Sequence, residues 1–319
     1  MRFFVGCLLL TLATALPVQG AEWFVDNVAG SDTNDGTAPD NSIAGSGPFR
    51  SINRAMRAAG KGDTVILHNT GVPYREMISV QGGRHSGTVD FPFRLVGNGS
   101  ILDGTTPVPD LQWEHHDKNV FRYRPYRLHH QILYDAGLPL VERKPATHGA
   151  VPELAPREWA IVGPYIYFCT EPGKLPLDYD LACALHPVGI TLYEVRNVEI
   201  RDIILQGFQV DGINVHSNAF DVRIVDVTSR GNGRSGVSFG GASRASLIDS
   251  LVGDNREAQV RAEGQARVLV SGCEVLANTA PAIVEAGGYI RVENPVGEAA
   301  VIAPASAELP IEEPVSTTP

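Results

Sequence analysis

Apolar and polar residues alternate in short runs through the second half of the chain. Val198/Ile200, Val222/Ile224, Ala245/Leu247, Val268/Val270 and Ile290/Val292 form one set of alternating pairs. Ile213/Val215, Val237/Phe239 and Val260/Ala262 form a second. Successive side chains of an extended chain point to opposite faces, so a period of two predicts strands rather than helices. Gly, Asn and Asp break the runs, which fits about three short strands per unit.

The runs also keep a beat. VEIRD begins at Val198, VRIVD at Val222, ASLID at Ala245, VLVSG at Val268 and IRVEN at Ile290, in steps of 24, 23, 23 and 22 residues. Asn232, Asn255 and Asn278 open a second motif at intervals of 23. Self-similarity at this period marks a solenoid. Parallel strands stack about 4.8 Å apart from coil to coil, so each apolar column becomes continuous core. The three asparagines are expected to stack at one turn and bond along the axis through their amides. Asp202, Asp226 and Asp249 form a further column, expected at turns between strands, where Asp is common.

Upstream, Ile52, Ala55, Met56 and Ala59 share one face of a short predicted helix that Gly60 and Gly62 end, and Val65–Leu67 reads as a strand. Such a helix would cover the open end of the solenoid, where edge groups are otherwise unpaired. In GSDTNDGT, PFRSINRAMRAAGKGDTVIL, GVPYRE and the later coils, the chain resembles the secreted right-handed parallel β-helix proteins of the pectin-lyase-like superfamily. The resemblance covers roughly residues 23–102 and 189–295. It implies an all-β, right-handed parallel β-helix with an N-terminal capping helix. That fold hosts lyases, hydrolases, epimerases and non-catalytic surface proteins, so activity must be argued from the site.

Residues 111–180 interrupt the beat and hold ten of the chain's 23 aromatics. Two predicted strands meet there at Gly163-Pro164, so the segment reads as a small β-rich insertion leaning on the helix. Its rings suit either sugar stacking or a core of their own. Residues 1–20 carry one early arginine, an apolar run and small residues before Ala21, the pattern of a secretory signal. The domain is expected to span residues 21–302, with a disordered acidic, Pro-rich tail over 303–319. Export places the protein outside the cytoplasm: secreted, periplasmic or on the cell surface. No later stretch is long and apolar enough to span a membrane.

Lys+Arg number 26 against 36 Asp+Glu, a formal charge of −10. That balance argues against nucleic acid and anionic lipid as partners. An acidic polysaccharide is repelled too, unless a metal or a local arginine cluster reverses the field. After loss of the signal, Cys169, Cys183 and Cys273 remain. Cys169 and Cys183 are able to bridge in an oxidising compartment, whereas Cys273 falls at an inward position and reads as a buried thiol.

Three segments offer chemistry. GNGRSG (231–236) matches a dinucleotide fingerprint, but a strand follows where a helix is required, so the repeat accounts for its glycines. In GSDTNDGT, Asp32, Asn34 and Asp35 are oxygen donors suited to calcium, or Asx turns bonding the local backbone. In QVDGINVHS, Ile213 and Val215 are expected inward and Asn214 and His216 outward, beside Ser238 and Gly240, then Arg261 and Glu263. Asp211 and Arg234 lie in turns at the same face. Together Asp211, His216, Arg234, Arg261 and Glu263 form a candidate catalytic set for an acidic sugar. Arginine would neutralise a uronate and His216 would remove the adjacent proton.

The resemblance supplies a comparison. Polygalacturonase-like members carry Asp-Gly, then Asp-Asp, then Gly-His-Gly in successive coils. Asp211-Gly212 matches the first element alone, and Asp211 with Glu263 would have to supply the two carboxylates of a glycosidase. Lyase members use a lysine or arginine base. Residues 189–295 contain no lysine, which leaves the coil arginines or Lys144, overhanging from the insertion. Two readings follow. One is an exported polysaccharide-directed protein, a lyase or hydrolase of acidic glycans. The other is a non-catalytic envelope or matrix protein that uses the solenoid as a rigid scaffold.

Overall fold

The structure, a computed structural model, describes residues 20–43, 45–109, 112–126, 130–147, 149–297 and 302–304. The expected signal lies outside these residues, apart from Gly20. So does the expected tail from Ala305 onward. Ala303 and Pro304, assigned to that tail, instead belong to strand Ile302–Pro304, which pairs with Ile283–Ala286.

Two long parallel sheets build the domain. A ten-stranded sheet runs from Glu22–Val25 through Thr64–Leu67, Phe93–Asp103, Arg196–Gln206, Phe220–Arg230, Arg244–Ile248 and Arg267–Ser271 to Tyr289–Glu293. A seven-stranded sheet runs from Ile78–Gln81 through Val188–Tyr193, Asp211–His216, Ser235–Phe239, Ala258–Glu263 and Ile283–Ala286 to Ile302–Pro304. Each sheet contributes one strand per coil. The eleven-residue strands bend, and residues 203–206, 227–230, Leu251–Gly253 and Glu274–Val275 form a third face.

The register stacks like on like. Ile190, Ile213, Val237, Val260 and Ile283 are paired rung to rung and none is exposed. Val198, Val222, Ala245, Val268 and Ile290 do the same on the first sheet. Each such side chain contributes about 1.5–3 kcal/mol by leaving water. A slip of one residue would turn every one of them outward, so the core fixes the register.

The aspartate column has a backbone cause. Asp202, Asp226 and Asp249 have φ of 52°, 54° and 48°, and Gly272 continues the corner at 65°. The left-handed region is costly for most residues and least so for Asp, Asn and Gly. These aspartates turn the bent strands onto the third face. The glycines of GNGRSG are architectural as well. Gly231 has φ 61°, and a Cβ on Gly236 would meet Val252 Cγ1 at 2.3 Å.

The asparagine stack forms over two rungs. Asn232 and Asn255 are fully buried. Asn255 Oδ1 accepts from Asn232 Nδ2 and from Asn232 N, both at 2.9 Å. Asn255 Nδ2 in turn donates to Gln259 Oε1 at 2.8 Å. Asn278 departs from the expected stack. It is exposed and exchanges hydrogen bonds with Asp254 instead.

The predicted helix spans Ile52–Ala58, with Ile52, Ala55 and Met56 buried against the first strands. Its start is held from two sides. Ser51 Oγ accepts from Arg54 N at 3.2 Å, and the Glu76 carboxylate of GVPYRE accepts from Ile52 N and Asn53 N.

The insertion begins and ends outside its expected bounds. Thr105–Pro107 and Leu181–Ala184 pair antiparallel where the chain leaves and rejoins the coils. Those residues are not aromatic, so aromatic density understated the segment. Glu158–Val162 and Tyr165–Cys169 pair antiparallel across Gly163-Pro164, as expected. The rings form the insertion's own core. Trp159 and Phe168 are buried, and Trp113 packs on Tyr123 and Phe168. Cys169 and Cys183 do not bridge: all three described cysteines are free and buried. Burial pushes the Cys183 thiol up to about 11 and raises that of Cys273.

The buried amide stack should dominate a mutational comparison. Asn255→Ala strips partners from Asn232 and from buried main chain, and is expected to cost about 2–3 kcal/mol. Asn278→Ala, on the surface, should cost under about 0.5 kcal/mol. Urea unfolding of the two variants measures the difference.

Candidate functional site

The seven-stranded sheet presents its outward residues in rows. Thr191, Asn214, Ser238 and Arg261 occupy consecutive rungs, as do Tyr193 and His216. Gly240 follows His216, and a Cβ placed there would lie 3.7 Å from His216 Cβ. Gly240 lines a cavity of about 400 Å³ with Asn214, His216, Arg234, Ser238 and Glu263, among others. The alternation of QVDGINVHS therefore does what its pattern predicted.

The five proposed residues are brought into one neighbourhood, but not as equals. Asp211 is fully buried at the start of its strand rather than free at a turn. Arg234 grips it with two hydrogen bonds, Nε to Oδ1 at 3.0 Å and Nη2 to Oδ2 at 2.6 Å. Asn214 Nδ2 donates to the same carboxylate at 2.7 Å. Asp211 is thus withdrawn from the surface and holds Arg234 in place. Burial opposes the Arg234 charge most, but hydrogen bonding to Asp211 together with the charges of Asp211, Glu263 and Glu257 outweighs it, so its pKa is raised.

Arg234 reaches on with Nη1 to Glu263 Oε1 at 3.5 Å. Arg261 Nε lies 3.5 Å from the same oxygen, yet it is buried and makes no hydrogen bond there. Distance alone does not make the bond, because the donor is not aimed at the acceptor. Glu263 is the partly exposed carboxylate of the set, with 37% of its side chain accessible. His216 stacks at a tilt on Tyr193, ring centroids 5.1 Å apart, and Nδ1 lies 3.3 Å from Ser217 Oγ.

Sequence reasoning missed the residues at the insertion's edge. His130 Nδ1 meets Glu257 Oε1 at 3.0 Å, and this contact lowers the Glu257 pKa. Arg256 forms a bidentate pair with Glu142, both bonds 2.7 Å. Tyr134 Oη donates to Gly231 O. The insertion is thereby clamped onto the turns that precede the sheet's strands. Glu257 belongs to the NREAQVRA motif, so its repeat position was the one available signal. Lys144 lines a separate cavity of about 360 Å³ with Glu142, Trp159 and Arg256, and His148 beside it lies outside the described residues.

In the other candidate loop both aspartates accept hydrogen bonds from the chain. Asp32 accepts from Arg50 N, Ser51 N and Ser51 Oγ. Burial would raise its pKa, but those bonds lower it. Asn34 Nδ2 donates to Asn41 Oδ1 and Pro48 O, while Asp35 Oδ1 accepts from Thr37 N and Gly47 N. Among the described residues, no cluster of three His, Cys, Asp or Glu gathers to hold a metal.

Residues 184–296 match the family described as the right handed beta helix region. The stacked parallel sheets and this match make the fold a right-handed parallel β-helix. Solved structures similar to this β-helix include a glycoside hydrolase, 11% identical, covering 84% of this chain and 74% of that one with a TM-score of 0.59. The pectate lyase Pel9A is 11% identical over 88% of this chain and 79% of that one, TM-score 0.32. A complex of XylC with xylose is 14% identical over 86% and 70%, TM-score 0.42. At these identities the likeness is one of fold. No curated protein matches this β-helix.

The role given to Asp211 is open to a stability measurement. Asp211→Ala leaves Arg234 without its buried partner and should destabilise the fold by about 3–5 kcal/mol. An equilibrium unfolding curve indistinguishable from the parent's would show that the pair is not structural.

Proposed function

We propose that the β-helix is an exported, polysaccharide-directed protein whose outward second-sheet cavity works on an acidic glycan. The observation that carries this is the convergence of His216, Arg234 and Glu263 on one open cavity. Elimination fits the geometry better than hydrolysis. A glycosidase needs two carboxylates flanking the scissile bond, and Asp211 is buried behind Arg234. In elimination, the guanidinium of Arg261 or Arg234 would neutralise the uronate carboxylate. The His216 imidazole would take the proton on the adjacent carbon. The electron pair left on that carbon forms the new double bond, the bond to the glycosidic oxygen breaks, and that oxygen takes up a proton.

A second reading has an observation of its own. Arg234 is held by Asp211 through two hydrogen bonds and Asn214 binds the same carboxylate, as in a face built for rigidity. On that reading the solenoid is a non-catalytic scaffold. Incubation with uronate-bearing and neutral polysaccharides separates the two, with and without calcium, following ultraviolet absorbance and new reducing ends. Unsaturated product that disappears in His216→Ala is the expected result. No turnover on any polymer favours the scaffold. Dependence on added calcium that Asp35→Asn removes would assign a metal to the Asp32, Asn34 and Asp35 loop.

Export belongs to the same proposal. Ala21 N donates to Asp63 Oδ1 at 2.8 Å, and Asp63 Oδ2 accepts from Trp23 Nε1 at 2.9 Å. Cleavage after Gly20 would place a new ammonium group against that carboxylate. Intact mass of the exported protein should correspond to a chain beginning at Ala21. A chain that retains residues 1–20 would reject the cleavage.

A further inference from the structure

A second concave surface lies away from the second-sheet cavity. It is a groove of about 770 Å³ on the outside of the ten-stranded sheet. Five arginines line it, Arg94, Arg223, Arg244, Arg267 and Arg291, against the three carboxylates Glu199, Asp221 and Glu293. The chain as a whole carries −10, so this is a local reversal of sign.

The carboxylates are not distributed evenly among the arginines. Glu199, itself buried, lies 3.9 Å from Arg94 and 3.4 Å from Arg223. Glu293 pairs with Arg291 at 2.6 Å. Arg244 and Arg267 are left over. They stand directly opposite one another on adjacent strands, and among the described residues neither has a carboxylate within ion-pair distance. Like charges opposed across a strand pair destabilise it, and no carboxylate of the described residues offsets this pair. Arg244 is also pre-organised, its Nη1 anchored by the carbonyls of Ala242, Ser243 and Gln265. On the next rung Tyr289 stands opposite Arg267, 60% exposed.

We infer that this groove binds an anionic polysaccharide along the solenoid axis, with its carboxylate or sulfate groups on Arg244 and Arg267 and a sugar face on Tyr289. The groove crosses six stacked strands, from Phe93–Asp103 to Tyr289–Glu293, a length of about 24 Å at the rung spacing of a sheet. That favours a chain ligand over a single small anion. The aromatic ring beside the guanidiniums suits a sugar, which offers an apolar face between its charged groups. The inference takes its ligand class from the function proposed above but uses none of the residues of that site.

Titration calorimetry with polygalacturonate oligosaccharides, a sulfated dextran, neutral xylo-oligosaccharides and duplex DNA tests it on the purified protein. Both anionic glycans are expected to bind, more weakly as salt rises, and the relative affinities identify carboxylate or sulfate as the preferred group. Arg267→Ser, at an exposed position with no internal partner, should weaken binding about tenfold. Adding Arg244→Ser should abolish the groove's share of the binding and leave that of the second-sheet cavity. Turnover of a short substrate should survive Arg267→Ser and be lost in His216→Ala, while His216→Ala keeps the groove's affinity. Undiminished binding by a natively folded Arg267→Ser, Arg244→Ser double variant would overturn the proposal. Equal affinity for the neutral sugar or for DNA would overturn it as well.

Discussion

Everything in this molecule depends on the hydrogen-bonded register between successive coils. Each strand takes its partner from the coil before and gives one to the coil after. Over residues 188–293 a residue's neighbours are therefore set about 23 positions away. Inward columns of Ile, Val and Leu lock that register, because a shift by one would expose the whole set. Once it is locked, the outward columns are fixed as well, whatever chemistry they carry.

The same constraint makes polar residues inside the coils consequential. Asn232 and Asn255 are buried where the third face turns back to the second sheet, and the Asn255 amide satisfies main-chain groups of Asn232, Ser229 and Gly253. A buried donor left unpaired costs more than a paired one contributes. The column ends where it stops being buried, at Asn278. Asp211 and Arg234 obey the same accounting. A fully buried carboxylate is tolerable because a guanidinium and an amide share it. That arrangement places a rigid arginine at the mouth of the cavity and removes the aspartate from it.

The insertion is the part of the fold that does not follow the coil. It builds its own aromatic core and returns to the solenoid through a few directed contacts, Glu142 with Arg256 and His130 with Glu257. These contacts gather on the turns ahead of the second sheet, while the residues that line the candidate cavity all come from the coils. The arginine groove of the first sheet lies on another face and is open. Two outward faces of one solenoid therefore differ in character: one nearly balanced in charge, the other cationic.

Period-two alternation on a 23-residue beat was enough to read the strands, their parallel stacking and the inward or outward sense of residues such as Ile213 and His216. Those are local and additive properties of a repeat. The rows Asn214–Ser238–Arg261 could be written down for the same reason. What the sequence left open were the choices made by partners far apart in it. Whether Asp211 faces water or Arg234, whether Asn278 joins its column or bonds Asp254, and whether Cys169 meets Cys183 each depend on burial and reach at one place. The net charge likewise concealed Arg244 and Arg267, because composition averages over faces that the coil separates. Residue type and spacing determined the solenoid. Only the packed structure decided which carboxylate is spent inside and which arginines remain unpaired, since that follows from distances between coils and not from the repeat that makes them.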